Sequence, residues 1–137
     1  MFWVDASSPE SMTMSLRGIS STPAAQGSDV EGSVEAVLQW MSYLPGEWLI
    51  VFDNADDPAP EVVAKFIPPG NRGNILITSR NPSMGRIIAF ENRIEIKEME
   101  EADAISLLLK TSCLDTLEEH LPVAKILSLN LVAFPLL

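Results

Sequence analysis

Two short apolar runs frame this chain. Leu49-Ile50-Val51-Phe52 passes straight into Asp53, and Asn74-Ile75-Leu76-Ile77-Thr78-Ser79 passes into Arg80. Continuous apolar runs of this length, closed by polar residues, predict strands buried on both faces. A third β-prone segment, Phe2-Trp3-Val4, stops at Asp5. Between these runs the apolar spacing becomes helical. Ser8-Pro9-Glu10 has the form of an N-cap followed by proline at the first helical position, with Met12, Leu16 and Ile19 on one face. Gly18 and the Ser-, Pro- and Gly-rich run from Ser20 to Ser28 close that helix in a polar connector. Val34, Val37, Leu38 and Met41 predict a second helix, stopped at Gly46 ahead of the strand Leu49 to Phe52. Val62 to Phe66 predicts a short helix broken by Pro68-Pro69-Gly70. Arg93-Ile94-Glu95-Ile96 alternates as a half-exposed strand would, and Glu100 to Thr111 predicts a helix with Ile105, Leu108 and Leu109 on one side. Glu100, Glu101 and Asp103 near its start and Lys110 near its end suit the helix dipole. Pro122 starts a last helix, after which Leu131 to Leu137 shows no period; there is no internal repeat. Strands alternating with helices predict an α/β domain with a parallel sheet covered on both faces.

A chain of 137 residues has room for one domain that buries roughly two thirds of its unfolded surface. Apolar residues make up 47% and charged residues 20%, the balance of a globular chain and not of a disordered one. The net charge is −10, and of nine basic residues only Arg72, Arg80, Arg86 and Arg93 form a loose sequence cluster. That field does not attract nucleic acid or an anionic membrane, so neither is expected as a partner. An anionic nucleotide would need local cations, and those four arginines are the candidates. A single cysteine, Cys113, allows neither an internal disulfide nor a thiolate zinc site, which favours a cytoplasmic setting. Met1-Phe2-Trp3-Val4-Asp5 lacks the basic and apolar regions of a signal peptide, and the apolar run from Leu131, broken by Pro135, is too short to span a bilayer.

Candidate chemistry gathers where the buried strands end. Asp53 would sit at the carboxyl edge of a parallel sheet, where α/β folds bind ligands. In P-loop nucleotide-hydrolysing folds an acid so placed helps to hold Mg²⁺; an aspartate that simply caps the next turn fits the spacing as well. As the first ligand of a calcium loop Asp53 fails, because Ala55, Pro58 and Ala64 supply neither the side-chain oxygens nor the glycine turn. Arg80 would emerge at the same edge if the strands are parallel, and its planar fork suits a terminal phosphate. The alternative is a solvated arginine in a surface loop. His120, beside Glu118 and Glu119, has no second histidine or reactive serine placed to complete a triad and reads as a surface residue. Cys113 reads as a small buried hydrophobe. The chain holds no Gly-rich loop ending in Gly-Lys-Ser or Gly-Lys-Thr.

Phe2-Trp3-Val4-Asp5-Ala6-Ser7-Ser8, Leu49 to Asp56 and Gly73 to Asn81, taken in order, resemble consecutive blocks of an NB-ARC domain. This is the nucleotide-binding switch of NLR-type signal-transduction P-loop NTPases, and the wording is most similar to fungal versions, which often carry tetratricopeptide repeats downstream. The block Ile94 to Leu109 also fits, so the likeness covers about residues 1–126 and leaves 127–137 as a divergent apolar tail. The resemblance implies a three-layer P-loop NTPase-like parallel sheet and ADP or ATP with Mg²⁺ as cofactors. It implies that Asp53 is the Walker B acid ordering Mg²⁺ through water, that Asn54 stands where many relatives have a second acid, and that Arg80 senses the terminal phosphate with Thr78 and Ser79 as neighbouring polar contacts. An amide at position 54 cannot accept a proton from water, so hydrolysis is expected to be slow; Asp56 or Asp57 could substitute only if the loop bends back.

Two departures shape the functional expectation. The family's first strand and Walker A loop precede the Phe2-Trp3-Val4 block, and most affinity for nucleotide resides in that loop's N–H groups and lysine. The Gly-Leu-Pro-Leu-Ala-like motif expected after Lys125 is replaced by Ser128 to Pro135. In the family the first strand lies between the strand at Asn74 to Ser79 and the one at Arg93 to Ile96. Without it an apolar strand edge is left open, or Arg93 to Ile96 fills the gap; an open edge invites pairing with another chain. The expectation is a truncated NB-ARC-like switch domain with weak or no nucleotide binding and no competent hydrolysis. The alternative is a non-catalytic interaction fragment that pairs through its sheet edge with a full-length NB-ARC relative.

Overall fold

Each of the three β-prone segments forms a strand, and the three strands run parallel in one sheet of order β1-β2-β3: β1 (Phe2–Asp5), β2 (Leu49–Asp53) and β3 (Asn74–Ile77). The structure is a computed structural model. It describes residues 1–25, 30, 32–97, 99–112 and 121–132, with backbone alone at residues 121 and 129–132. It divides into two compact units, Met1–Arg93 and Ile94–Leu137. The fold is α/β, a small three-stranded parallel sheet with helices. Cys113 and His120 lie outside the described residues.

In the first unit, α1 (Pro9–Ser20) and α2 (Val34–Tyr43) separate β1 from β2, and α3 (Pro60–Val63), continued by a 3₁₀ turn at Ala64–Phe66, separates β2 from β3. The Ser8 cap read from the sequence is in place, and the structure adds a second at Ser33. Ser8 Oγ accepts from Ser11 N at 3.1 Å and Ser33 Oγ from Ala36 N at 3.2 Å, satisfying N–H groups that helix geometry leaves without partners. Each such cap contributes about 1 kcal/mol. Register sets which side chains meet. Val4 lies beside Phe52 and Phe52 beside Ile77 on one face, while Trp3, Val51 and Leu76 form the corresponding row on the other.

The first face carries the core. Val4, Ile50 and Phe52 are fully buried with Met12 and Leu16 of α1, Val37 and Met41 of α2, and Val63 of α3. Phe2 meets Trp40 edge to face at 6.0 Å. On the opposite face Val51 is buried, but Trp3 is 57% and Leu76 49% exposed. The expectation of a sheet covered on both faces therefore fails at β1 and β3: α1, α2 and α3 contribute Met12, Leu16, Val37, Met41 and Val63 to the core of the first face, and even on that face Ile75 of β3 is 41% exposed.

The alternation at Arg93 to Ile96 does not produce a strand. Residues 93–97 have no regular structure, and Ile94 and Ile96 are exposed. A two-residue period describes a pleated face only when a neighbour pairs its N–H and C=O groups, and no strand pairs with this one. Among the described residues β3 pairs with β2 and with no further strand, so it forms an edge of the sheet, and Arg93 to Ile96 does not fill the place beside it.

In the second unit α4 (Glu101–Thr111) packs on α5 (Leu121–Val132). Ala104, Leu109, Ala124 and Ser128 are buried, and the small residues among them let the helices approach closely. Ser128 Oγ donates to Lys125 O at 2.9 Å, which satisfies its hydroxyl. The helix continues to Val132, past residue 127 where an apolar tail was expected; residues 133–137 lie outside the described residues.

Candidate functional site

Parallel pairing brings the ends of β2 and β3 to one edge of the sheet, so Asp53 and the segment Thr78-Ser79-Arg80 lie side by side. The ladder continues past the strands: Thr78 N donates to Phe52 O at 2.9 Å, and Ala55 N to Thr78 O at 2.9 Å. Between them the chain turns at Asn54, whose φ of +62° lies in the left-handed region that asparagine tolerates better than most residues. Asn54 N donates to Thr78 Oγ1 at 3.0 Å, and that hydroxyl donates to Asp53 Oδ1 at 2.5 Å. One threonine oxygen thus holds both the turn and the carboxylate. Asn54 serves here through its backbone, with its side chain exposed.

The next turn carries a residue that sequence reasoning considered only as a stand-in base. Asp56 Oδ1 accepts from Arg80 N at 2.6 Å, and Asp56 Oδ2 accepts from Arg80 Nε at 2.6 Å. Ser79 Oγ donates to Ala55 O at 2.6 Å and accepts from Asn81 N at 2.9 Å, while Asn81 Nδ2 donates to Asp56 O at 3.2 Å. Asn81 Oδ1 also accepts from Ser83 N at 2.9 Å, capping the 3₁₀ segment Pro82–Ile87. The Asn-Pro pair was the available signal for that cap. The backbone N–H of Arg80, and then its guanidinium, hold the Asp56 carboxyl below its ordinary range. The loop does bend back, but the Asp56 carboxylate is engaged by Arg80.

Asp5 is the second residue that sequence reasoning missed as a site neighbour, having been read only as a strand end. It is the register partner of Asp53 on adjacent β1, so both carboxylates project from one face at the same edge. Asp5 Oδ1 accepts from Ser7 N at 3.0 Å, and the Ser7 hydroxyl and then its N–H lower the Asp5 pKa. Among the described residues no group of three or more His, Cys, Asp or Glu could hold a metal ion by itself. The donor set does fit Mg²⁺ arriving on a phosphate, since that ion takes hard oxygens and commonly one or two carboxylates together with substrate phosphates.

The four arginines of the sequence cluster are not gathered. Arg93 donates through Nη2 to Gly85 O and to Ile88 O, and lies 5.5 Å from the centre of the Phe90 ring, so it holds a loop together. Arg72 precedes β3 and so lies toward the amino edge, away from Asp53. Arg86 is exposed on the 3₁₀ segment. Arg80 is the one of the four that hydrogen-bonds to the loop after Asp53. An open groove of about 620 Å³ between α2 and the segment after α3, lined by Leu38, Tyr43, Lys65 and Pro69, contains none of these site residues.

No protein-family model matches the chain, and no solved structure matches it. In an alignment 101 positions long that covers 64% of this chain, it is 29% identical to a curated protein of Hyaloscypha variabilis named "Nucleotide-binding leucine-rich repeat (NLR)-like protein". The match takes in 10% of that protein, so the chain spans about a tenth of its relative's length. The similarity supports an NLR-like relationship.

Proposed function

We propose that this chain is a segment of an NB-ARC-like nucleotide switch from an NLR-type signalling protein, acting in the cytoplasm, with weak affinity for ADP or ATP and no competent hydrolysis. The observation that carries this reading is the convergence of Asp53 and Arg80 on one carboxyl edge, joined through Thr78 and Asp56. The relative's name is consistent with it. Asp53 would hold Mg²⁺ through water, with its carboxylate fixed by the Thr78 hydroxyl, and Arg80 would read the terminal phosphate beside Ser79. Mg²⁺, when bound, supplies neutralising charge to the phosphates. Two of the candidate bases fall short: Asn54 offers an amide, and Asp56 is tied to Arg80 with a lowered pKa. Weak affinity follows from chemistry that these residues do not provide, a Gly-rich N–H cradle with its lysine. Among the described residues no helix is long and apolar enough to cross a membrane.

Calorimetric titration of the chain with Mg·ADP and Mg·ATP tests the reading. Weak, saturable binding is expected, and Asp53→Ala should abolish its Mg²⁺ dependence while circular dichroism stays unchanged. A folded chain with no detectable binding would overturn it.

A second reading is favoured by one observation, the unpaired edge of β3 with Ile75 and Leu76 exposed. There the chain is a non-catalytic partner that adds its sheet edge to a full-length NB-ARC relative. It requires a stable hetero-oligomer without nucleotide, weakened by Leu76→Lys, because a charge on an edge strand opposes further pairing.

A further inference from the structure

We infer that Asp56 is an internal counter-ion of Arg80, occupying the guanidinium edge that a phosphate-class oxyanion would take, so that such an anion binds at this sheet edge only by displacing it. The inference rests on the reading of Arg80 as the phosphate-reading residue. A planar guanidinium grips an oxyanion through two parallel N–H groups, and the edge that includes Nε is already met by Asp56 Oδ2 at 2.6 Å. The pair is unequally anchored. The Arg80 side chain is 65% exposed, whereas that of Asp56 is 16% exposed and is also held at Oδ1 by the Arg80 backbone N–H at 2.6 Å. The exposed guanidinium is therefore the partner that moves, and an ion pair this open to water is weak enough for a second anion to replace. The carboxylate remains in the loop, where its charge opposes the incoming anion.

Asparagine separates these two bonds. In Asp56→Asn the amide oxygen can still accept from Arg80 N, but an NH₂ group cannot accept from Nε–H. The guanidinium is released while the loop keeps its backbone contact. Inorganic pyrophosphate is the probe, followed by the ¹⁵N resonance of the Arg80 Nε–H in the full chain. Wild type should show a weak, saturable shift, and Asp56→Asn should bind about two- to fivefold more tightly, the scale of an exposed ion pair. The gain should vanish in the Asp56→Asn, Arg80→Gln double variant. Unchanged affinity in Asp56→Asn would overturn the inference, and so would weaker affinity, since Asp56 would then position Arg80 instead of competing for it. If circular dichroism shows Asp56→Asn unfolded, wild type decides: pyrophosphate must shift the Arg80 Nε–H and the Asp56 carboxyl carbon together, and failure of either to move overturns the proposal. Mg·ADP and Mg·ATP binding no better than pyrophosphate would sink the nucleotide reading and leave the counter-ion standing. No response to pyrophosphate in either protein would overturn the counter-ion.

Discussion

At the scale of single residues, the site depends on one hydroxyl and one carboxylate. Thr78 Oγ1 donates to Asp53 and accepts from Asn54 N, so Thr78→Val removes two hydrogen bonds while keeping the shape of the side chain. The turn is exposed and water replaces part of the loss, which puts the expected cost near about 1 kcal/mol. Urea unfolding of Thr78→Val beside Thr78→Ser would measure it, and an equal loss in both would exclude the hydroxyl as the cause. Asp56 gives a pH dependence of definite sign. Its folded pKa is depressed, first by the Arg80 N–H and then by the guanidinium. The stabilisation is fully present above the unfolded carboxylate value of about 3.9 and is lost as pH falls through the lower folded value. The urea midpoint should therefore fall as the pH drops below about 4, and less steeply in Asp56→Asn. Asp5, depressed by Ser7, adds to the same trend, so some slope should remain in that variant. Equal slopes in the two proteins would show that Asp56 does not carry the linkage.

At the scale of elements, what could be read in advance was local, and what could not was relational. Strands β2 and β3 were legible because an apolar run closed by polar residues has few other uses. Helix α1 was legible because Ser8 and Pro9 precede apolar residues at helical spacing, and α2 because Val34, Val37, Leu38 and Met41 repeat at that spacing ahead of Gly46, whereas its Ser33 cap went unread. Arg93 to Ile96 misled because alternation describes a face and says nothing of a neighbour to pair with. The bonds from Asp56 to Arg80 span 24 positions and arise only from parallel register, so no sequence pattern announces them. Gly73 is a further case. It has φ +79°, and a Cβ there would overlap the indole of Trp48, whose carbonyl accepts from Asn74 N at 2.7 Å to start the β2 to β3 pairing. Gly73→Ala combines left-handed strain with a clash against a large buried ring and should cost about 2–4 kcal/mol. Tryptophan fluorescence during urea unfolding, compared with a Trp3→Phe, Trp40→Phe background in which Trp48 alone emits, reports both stability and local repacking. A loss below about 0.5 kcal/mol, the range of an ordinary surface substitution, would mean that the turn relaxes freely.

At the scale of the whole chain, the principal apolar cluster belongs entirely to residues 4–84, with partly buried neighbours as far as Ile87. Arg93 closes that unit by gripping the carbonyls of Gly85 and Ile88 and lying against Phe90, while residues 94–97 follow without regular structure. Proteases need a stretch of backbone that can be extended into their cleft, and few contacts hold Ile94 and Ile96, both exposed. Trypsin under native conditions should cut first after Lys97, ahead of Arg93, whose guanidinium is occupied, and ahead of Lys65 and Arg72, which lie between β2 and β3 inside the folded unit. Because the core does not draw on residues beyond 93, the product ending at Lys97 should keep a cooperative urea transition, with a midpoint close to that of the first unit in the intact chain. Mass spectrometry identifies the cut, and the fluorescence of Trp3, Trp40 and Trp48, all within the first unit, follows the transition. A first cut after Arg72, or loss of cooperativity once Lys97 is cleaved, would mean that residues 1–93 do not fold independently. The Asp53 and Arg80 edge would then depend on α4 and α5 for its stability.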